Sequence, residues 1–295
     1  MIDIILETGN NRRETVRRAV QNLGDDLIER ARNAEYIFIK VNLVDSEWPL
    51  ACTHIDAVRG LLDVLRSRAN TPIVIADGSY RGTIDAFYNL GYEMLKNEYS
   101  DIELLDLNDA EFVDDYFHSP TEEKVHIRRA KLATKSGGLK ISLTPLKTDI
   151  NTTASLSIQN WAMGTWVVPS RISATGRVWA RWPWLASDVN AYHYAIADLF
   201  AHHKFNLAII DGIEAMEGEG PVRGEKMDFG AVLAGFDPVS VDAAAVSLMG
   251  FDPEDIGYLR RLRDLNFGII DMAKINVPPM LFSQLARKFK TSNNN

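Results

Sequence analysis

The sequence has very little cysteine, since Cys52 is the only one in 295 residues. A single cysteine excludes an internal disulfide, and it excludes an iron–sulfur cluster or a zinc–thiolate site built by this chain alone. Long apolar runs are also missing: YIFIKVNLV (36–44), one of the longest, falls far short of the roughly 20 residues that a membrane span needs. No basic segment followed by an apolar one opens the chain, so no secretory signal is expected. These absences predict a cytoplasmic protein without an iron–sulfur cluster.

Positive charge is scarce as well. The chain has 32 Lys and Arg residues against 40 Asp and Glu residues, a net charge of −8. Nucleic acids and anionic membranes attract proteins with a basic face, so neither is expected as a partner. The HExxH, GxSxG, Walker A, EF-hand and clean GxGxxG motifs are absent from the sequence. The chemistry must therefore be sought in residues that no standard motif marks.

Strands and amphipathic helices alternate in the first third of the chain. Apolar strands are predicted at IDIILE (2–7), YIFIKVNLV, TPIVIADGS (71–79) and DIELLDLN (101–108). The segments between them, 11–34, 53–69 and 82–98, are predicted helices, with Thr53 as the N-cap of the second. Such alternation favours right-handed β–α–β crossovers. We therefore expect an α/β protein with a mostly parallel sheet flanked by helices on both faces.

The middle of the chain interrupts this rhythm. Residues 124–148 resemble two strands joined through SGG, which predicts a β-hairpin. Residues 149–187 show no clear periodicity but contain most of the tryptophans: Trp161, Trp166, Trp179, Trp182 and Trp184. We expect an N-terminal α/β lobe (1–123), a hairpin with a Trp-rich insertion or lid (124–187), a C-terminal part that completes the same domain (188–289) and a disordered tail (290–295).

Polar side chains stand at the ends of several apolar strands. Lys40 and Asn42 lie in FIKVNLV, Asp77 ends PIVIAD, Asp211 ends FNLAIID and Lys147 ends ISLTPLKT. Because ligands bind at the carboxyl ends of parallel strands, these residues are expected to share one site. A structural interpretation stays open for three of them. Lys40 could reach water from an edge strand, and Asp77 and Asp211 could cap the turns that follow.

The acidic loop DGIEAMEGEGPVRG (211–224) has two interpretations. Its carboxylates, Asp211, Glu214, Glu217 and Glu219, are ligands that Mg²⁺ or Ca²⁺ would accept. Their spacing matches no metal motif, so a solvated acidic turn is the alternative. Two histidines are candidates for acid–base chemistry: His54, at the start of a predicted helix, and His193, inside one. A purely structural role is the alternative for His193.

Five ordered blocks together resemble the "domain of unknown function 362" family. They are IKVNLVDSEWPLACTHIDAVRGLLDVLR, IADGSYRGTIDAFYNLGYEML, TPLKTDINTTASLSIQNWAMG, YHYAIADLF with FNLAIIDGIEAMEGEGPVRG, and LAGFDPVSVDAAAVSLMGFDPEDIGYL. The resemblance spans roughly residues 36–275, and it implies no established activity. Many relatives carry a ferredoxin-like cluster segment, which this chain lacks. Two positions depart from the family pattern: Asp149 stands where histidine is common, and Gln159 where lysine is common.

Together these observations predict a small-molecule enzyme that acts on an anionic substrate in a cleft at the strand ends. The residues expected to carry the chemistry are His54, His193 and Lys147. Those expected to bind the substrate are Lys40, Asn42, Thr53, Thr148 and Asn160. Those expected to orient these groups or hold a divalent cation are Asp77, Asp211 and Glu217.

Two other functions remain open at this point. The chain could be a non-catalytic cofactor-binding or accessory protein that docks on an iron–sulfur or redox partner, or that forms a homodimer. The tryptophans would then form an exposed aromatic surface rather than a lid. A nucleotide-dependent enzyme is a weaker alternative, because no phosphate-binding loop is convincing.

Overall fold

The structure of the protein is a computed structural model that describes residues 1–168, the strand segments 171–173 and 176–178, and residues 188–292. Its strands are β1 (Ile2–Asp3), β2 (Ile5–Thr8), β3 (Tyr36–Lys40), β4 (Ile73–Asp77), β5 (Ile102–Asp106), β6 (Phe112–His118), β7 (Lys124–Ala130), β8 (Gly138–Asp149), β9 (Thr153–Ser155), β10 (Trp166–Val167), β11 (Arg171–Ser173), β12 (Gly176–Val178), β13 (Leu207–Glu217), β14 (Glu225–Gly235) and β15 (Ile275–Asn276). Its α-helices are α1 (Arg12–Gln21), α2 (Asp25–Asn33), α3 (Ile55–Arg68), α4 (Thr83–Asn89), α5 (Leu95–Glu98), α6 (Lys131–Thr134), α7 (Ser157–Gly164), α8 (Val189–His202), α9 (Pro238–Leu248), α10 (Gly257–Asp264) and α11 (Pro279–Leu285).

The predicted α/β fold is confirmed. The main sheet has the strand order β2-β14-β13-β8-β3-β4-β5, with β9 paired to β8. The strands from β13 to β5 run parallel to their neighbours, whereas β14 is antiparallel to both β13 and β2. A smaller antiparallel sheet has the order β10-β7-β6. The largely parallel core follows from the alternation of strands and helices along the chain.

Helices cover both faces of the main sheet, as predicted. Successive residues of β3 point to opposite sides, so Ile39 belongs to one apolar core and Phe38 to the other. The first core takes buried residues from α1, α2 and α3, namely Val16, Leu27 and Leu61. The second takes them from α7, α8, α9 and α10, namely Trp161, Ile196, Ala244 and Leu259. No helix in the described ranges is long and apolar enough to cross a membrane.

The prediction of a β-hairpin over residues 124–148 is wrong. β7 ends at Ala130, the single turn α6 follows, and β8 begins at Gly138 in a different sheet. β7 instead forms a hairpin with β6, and β8 lies between β13 and β3 in the main sheet. β8 is buried along almost its whole length, which is typical of a central parallel strand, whereas β7 alternates between exposed and buried residues.

Several predicted element boundaries also differ. The helices predicted over 11–34 and 82–98 are each broken at a glycine with positive φ, Gly24 and Gly91 (φ 77° in both). The N-cap of α3 is His54 rather than Thr53. The predicted disordered tail is held at its start, because the Lys290 N–H donates to Glu217 Oε2 (3.0 Å) and the Gly218 N–H donates to the Lys290 carbonyl (2.9 Å).

Two tryptophans of the Trp-rich segment are part of the core. Trp161 is fully buried between Phe38 and Phe205, and its indole N–H donates to the His203 carbonyl (2.6 Å). Trp166 is also buried. The predicted lid also includes Trp179, Trp182 and Trp184. These three residues lie outside the described residues.

Candidate functional site

The carboxyl ends of β8, β3 and β4 meet at one edge of the main sheet. The register pairs Lys40 at the end of β3 with Ser142 of β8 and with Ala76 of β4. Further along, β13 and β8 pair regularly until Asp211 faces Pro145, and the next pair is Met216 with Lys147. Proline has no N–H to continue the ladder, and the register between β13 and β8 shifts at this point. Beyond the shift β8 also pairs with β9, and the side chains of Lys147 and Asp149 line a cleft at this edge.

The cleft is a cavity of about 960 Å³, near the upper end of the range for small-molecule sites. Its lining combines charged and amide side chains with apolar ones. The charged and amide members are Lys40, Asn42, Asp45, Asp77, Arg81, Lys147, Asp149, Asn151, Gln159, Asn160, Glu219 and Arg223. The larger apolar and aromatic members are Val44, Tyr80, Ile150, Met163, Tyr192, Pro221 and Val222.

Five predicted site residues share this cavity: Lys40, Asn42, Asp77, Lys147 and Asn160. Six others do not line it in the described structure: Thr53, His54, Thr148, His193, Asp211 and Glu217. The site thus takes the ends of three neighbouring strands and one face of α7. The contacts of each residue explain why some predicted site residues line the cavity and others do not.

Lys40 is fully buried and fixed by three acceptors. Its Nζ donates to Asp77 Oδ1 (2.5 Å), to the Val41 carbonyl (2.7 Å) and to Asn160 Oδ1 (2.9 Å). Asp77 is fixed in turn, because its Oδ2 accepts the Leu43 N–H (2.6 Å). A Cβ on Gly164 would lie 2.3 Å from Lys40 Nζ, so glycine is required where α7 crosses this ion pair. The edge-lysine interpretation of Lys40 is therefore wrong, since β3 lies between β8 and β4.

Lys147 is also buried but has a different set of contacts. Its Nζ donates to the Ala51 carbonyl (2.8 Å) and, over a longer distance, to Asn42 Oδ1 (3.4 Å). Both acceptors are uncharged, and no carboxylate among the described residues forms an ion pair with Lys147. Burial lowers the pKa of its ammonium group to about 8, against the weaker opposing effects of Cys52, Asp149 and Asp77. The neighbouring Cys52 is unsuited to be a nucleophile, because burial raises the pKa of its thiol to about 12.

Thr53 and Thr148 do not line the cavity, but their hydroxyls form hydrogen bonds with segments next to it. The Thr53 hydroxyl accepts the Asn42 N–H (2.9 Å) and donates to the Leu143 carbonyl (2.9 Å), which joins the ends of β3 and β8. The Thr148 hydroxyl donates to the Gly218 carbonyl (3.2 Å). A Cβ on Gly220 would lie 2.0 Å from the Thr148 carbonyl oxygen, so only glycine allows the acidic loop to approach β8 this closely.

The two residues that depart from the family pattern contact each other. Gln159 Nε2 donates to Asp149 Oδ2 (2.9 Å) and to the Tyr192 hydroxyl (3.1 Å). Asp149 Oδ1 also accepts the N–H groups of Asn151 (2.8 Å) and Thr152 (3.2 Å). Both departures thus belong to one hydrogen-bonded network on the cavity wall, and the sequence alone does not indicate this contact.

Neither candidate histidine lines the cavity. His54 caps α3 through Nδ1, which accepts the Asp56 N–H (3.1 Å), and its ring is exposed. His193 Nδ1 accepts the Tyr258 N–H (3.2 Å) at the start of α10, and burial lowers the pKa of its ring to about 4. These contacts give both residues structural roles at helix N-termini.

The carboxylates considered for a metal are separated and engaged elsewhere. Asp211 is buried and pairs with Arg12 Nε (2.8 Å), and burial raises the pKa of its carboxyl group. Glu217 accepts the Lys290 N–H, and Asp77 pairs with Lys40. Nowhere in the described ranges do three His, Cys, Asp or Glu side chains converge as metal ligands would.

Two arginines at the cavity were missed by sequence reasoning. Arg81 follows the end of β4 and pairs with Asp45 (2.8 Å). Arg223 lies on the acidic loop with its guanidinium 5.7 Å from the centre of the Trp48 ring, and no described carboxylate pairs with it. The signal for Arg81 was its position in DGSYRG, directly after a predicted strand end, and the signal for Arg223 was its position in the acidic loop.

Comparison with known proteins gives a family. The model of the domain of unknown function DUF362 matches residues 37–247, well over half of the chain. A thylakoid-associated protein of Synechocystis sp. is 24% identical over 225 residues, which cover 75% of this chain and 64% of that protein. The chain therefore spans less than two thirds of this relative's length.

Two solved structures are similar to part of this chain. The lactate racemase apoprotein from Thermoanaerobacterium thermosaccharolyticum has a TM-score of 0.48 and 17% identity, covering 79% of this chain and 54% of that one. A protein from Thermotoga maritima has a TM-score of 0.40 and 12% identity, covering 78% of this chain and 57% of that one. Similarities this low support no conclusion about activity.

Proposed function

The chain belongs to the DUF362 family, whose name assigns no activity, and on that premise we propose that it is a small-molecule enzyme acting on an anionic substrate. The substrate would bind in the cavity at the carboxyl ends of β8, β3 and β4. The observation that carries the proposal is the state of Lys147, a buried cation in the cavity whose two acceptors are both uncharged. A buried charge without an opposite charge is costly, so an anionic ligand would stabilise it.

The charges around the cavity support the same substrate class. Lys40 and Arg81 are neutralised by Asp77 and Asp45. Lys147 and Arg223 form no ion pair within the described part of the chain, so they are the cations available to a ligand. A molecule with a negatively charged group and an apolar portion would match this lining.

Lys147 is the group best suited to acid–base chemistry. Its pKa of about 8 lies close to neutral pH, which allows the side chain both to donate and to accept a proton. The histidines suggested by the sequence are engaged at helix N-termini, so the proposal assigns them no catalytic step. The proposal also assigns no role to a divalent cation, because the three carboxylates suggested as its ligands are paired with other groups.

The accessory-protein alternative has less support. It requires the tryptophans to form an exposed docking surface, and Trp161 and Trp166 are buried in the core. A concave cavity with a desolvated lysine favours a small ligand over a flat protein partner.

The proposal predicts that Lys147→Met loses the ligand while keeping the fold. Hydrogen bonds to charged groups contribute about 1.5–3 kcal/mol, so affinity should fall roughly ten- to a hundredfold. Native mass spectrometry of the purified protein would identify a bound anion in the wild type and measure its occupancy in the variant. The melting temperature should stay equal or rise, because methionine removes a buried ammonium group that has no carboxylate partner.

Lys140→Met is the matched control. Lys140 lies in the same strand, is buried, and has a pKa lowered to about 8 by burial, but it is outside the cavity and donates to the Ala133 carbonyl (2.7 Å). This variant should retain the ligand. Equal retention by both variants, or a wild type that neither carries an anion nor is stabilised by small carboxylates and phosphates, would contradict the proposal.

A further inference from the structure

Two buried lysines line the cavity, and only one of them is paired with a described carboxylate. Lys40 donates all three ammonium hydrogens, one of them to the Asp77 carboxylate. Asn160 and Gly164 of α7 close over this ion pair. Loss of a proton from Lys40 would leave a buried carboxylate without its partner, so this lysine serves to hold the strand ends together.

Lys147 differs in each of these respects. Its acceptors are the Ala51 carbonyl and, at 3.4 Å, Asn42 Oδ1. Neither would be left as an unpaired charge if Lys147 lost a proton. Burial lowers its pKa to about 8, so on the order of a tenth of the molecules carry the free amine at pH 7. A desolvated amine that lines a cavity and has no carboxylate partner is a common form of a nucleophilic lysine.

We propose that Lys147 is a covalent nucleophile that forms an imine with an aldehyde or ketone carrying a negatively charged group. This inference rests on the proposed function and narrows its substrate class to anionic carbonyl compounds. The carbonyl carbon reacts at Lys147, and the charged group lies toward Arg223, the cavity cation that the described carboxylates leave unpaired. The volume of about 960 Å³ accommodates a substituted aromatic aldehyde as readily as a small oxo acid.

The step balances without any further reagent. The lone pair of the neutral Lys147 amine adds to the carbonyl carbon, and the electron pair of the C=O bond moves to oxygen. The nitrogen then loses its two hydrogens in turn, and the oxygen leaves with both as water, which gives the C=N bond. Protonation of the imine draws electrons from the adjacent carbon and so weakens its bonds to hydrogen or carbon. No redox change occurs in this sequence.

Reductive trapping tests the inference. The protein is incubated with pyridoxal 5′-phosphate or with pyruvate, reduced with borohydride, and analysed by intact and peptide mass spectrometry. The expected product is one saturable adduct per chain at Lys147, with the mass of the probe less one oxygen atom. Pyridoxal, which lacks the phosphate, should label Lys147 at least tenfold more slowly at equal concentration. The two probes distinguish a phosphate-bearing from a carboxylate-bearing substrate.

The controls separate cavity chemistry from general lysine reactivity. Lys147→Met should abolish the saturable adduct, and Lys140→Met should keep it, although both lysines are buried with a pKa lowered to about 8. Adducts confined to surface lysines, or equal labelling of the wild type and Lys147→Met, would overturn the inference. If the probes bind reversibly in a Lys147-dependent way without trapping, only the covalent step is wrong. If no anion binds at all, the proposed function fails with it.

Discussion

At the scale of single residues, identical side chains at one sheet edge have different chemistry. Lys40 and Lys147 both end parallel strands of the same sheet and both are buried. The partners that distinguish them are remote in sequence, since Asn160 lies 120 positions from Lys40 and Ala51 lies 96 positions from Lys147. The pattern of the sequence predicts that both lysines reach the site, but only these contacts show which one is neutralised.

His193 provides a prediction at this scale. Its Nδ1 accepts the first-turn N–H of α10, and its ring lies where a Cβ on Gly257 would come within 2.7 Å of it. His193→Ala should therefore lower the free energy of unfolding by about 1–3 kcal/mol, because the Tyr258 N–H loses its acceptor. Urea denaturation measures this loss. Ligand binding by the folded variant should be unchanged.

The control for His193 is His126→Ala, because His126 is an exposed histidine on β7. This change should alter stability by no more than about 0.5 kcal/mol. A His193 variant with normal stability but no ligand binding would return His193 to the catalytic role that the sequence suggested, and the assignment to Lys147 alone would be wrong.

At the scale of elements, α7 shows what a sequence pattern misses. Residues 157–163 of this helix are all buried, so no polar face alternates with the apolar one and no helical period is visible. The helix is stabilised at its start by Asp242 of α9. Its Oδ1 accepts the Ser157 hydroxyl (2.5 Å) and the Ser157 N–H (3.1 Å), and its Oδ2 accepts the Ile158 N–H (3.0 Å). This cap comes from a residue 84 positions away and orients the helix that carries Asn160 and Gln159.

The Asp242 cap predicts a pH dependence of stability. Burial raises the pKa of this carboxyl group to about 7, against the opposing hydrogen bonds from Ser157 and Ile158. The folded state therefore binds more protons than the unfolded state between pH 4 and pH 7. The stability that this group contributes is present at about pH 4 and is lost as the pH rises through 7, by roughly 4 kcal/mol.

The test compares the wild type with Asp242→Asn by urea denaturation at pH 5 and pH 7.5. Other groups titrate in this range, so the readout is the difference between the two proteins. Between pH 5 and pH 7.5 the wild type should lose more stability than the variant. Parallel pH profiles would show that Asp242 keeps an ordinary pKa in the folded protein.

The two strands of the wrongly predicted hairpin show why local pattern is insufficient. SGG between two apolar runs is a sound turn signal, and Gly137 does adopt a positive φ of 77°. The chain nevertheless passes from one sheet to another there, because β8 finds β3 and β13 as neighbours. Pairing across a sheet depends on segments far apart in sequence, so the turn was predictable and the partner was not.

At the scale of the whole molecule, the parallel sheet accounts for what the sequence could predict. Alternating strands and helices fix the parallel order, and the order brings Lys40, Asp77 and Lys147 to one edge. Asp211 lies within β13 and Glu217 at its end, but Arg12 and Lys290 pair with them. These partners come from the first helix and from the last residues described, and no local pattern connects them to the acidic loop.

The order of the parallel strands also explains where the cavity lies. The ends of β3, β4 and β8 line it, and residues 219–223 of the acidic loop, α7 and Ser292 complete its wall. Among the described residues that line it, Lys147 is a desolvated amine without a carboxylate partner, and we propose that an anion binds there.

The most direct test of this claim is an NMR titration of the lysine side chains in protein with ¹³C-labelled lysine. The Lys147 resonance, identified by its loss in Lys147→Met, should titrate with a pKa of about 8. Added inorganic phosphate should raise that value, because a bound anion stabilises the ammonium form, while the value of Lys140 should not change. A Lys147 pKa near 10.5, unmoved by phosphate, would contradict the account.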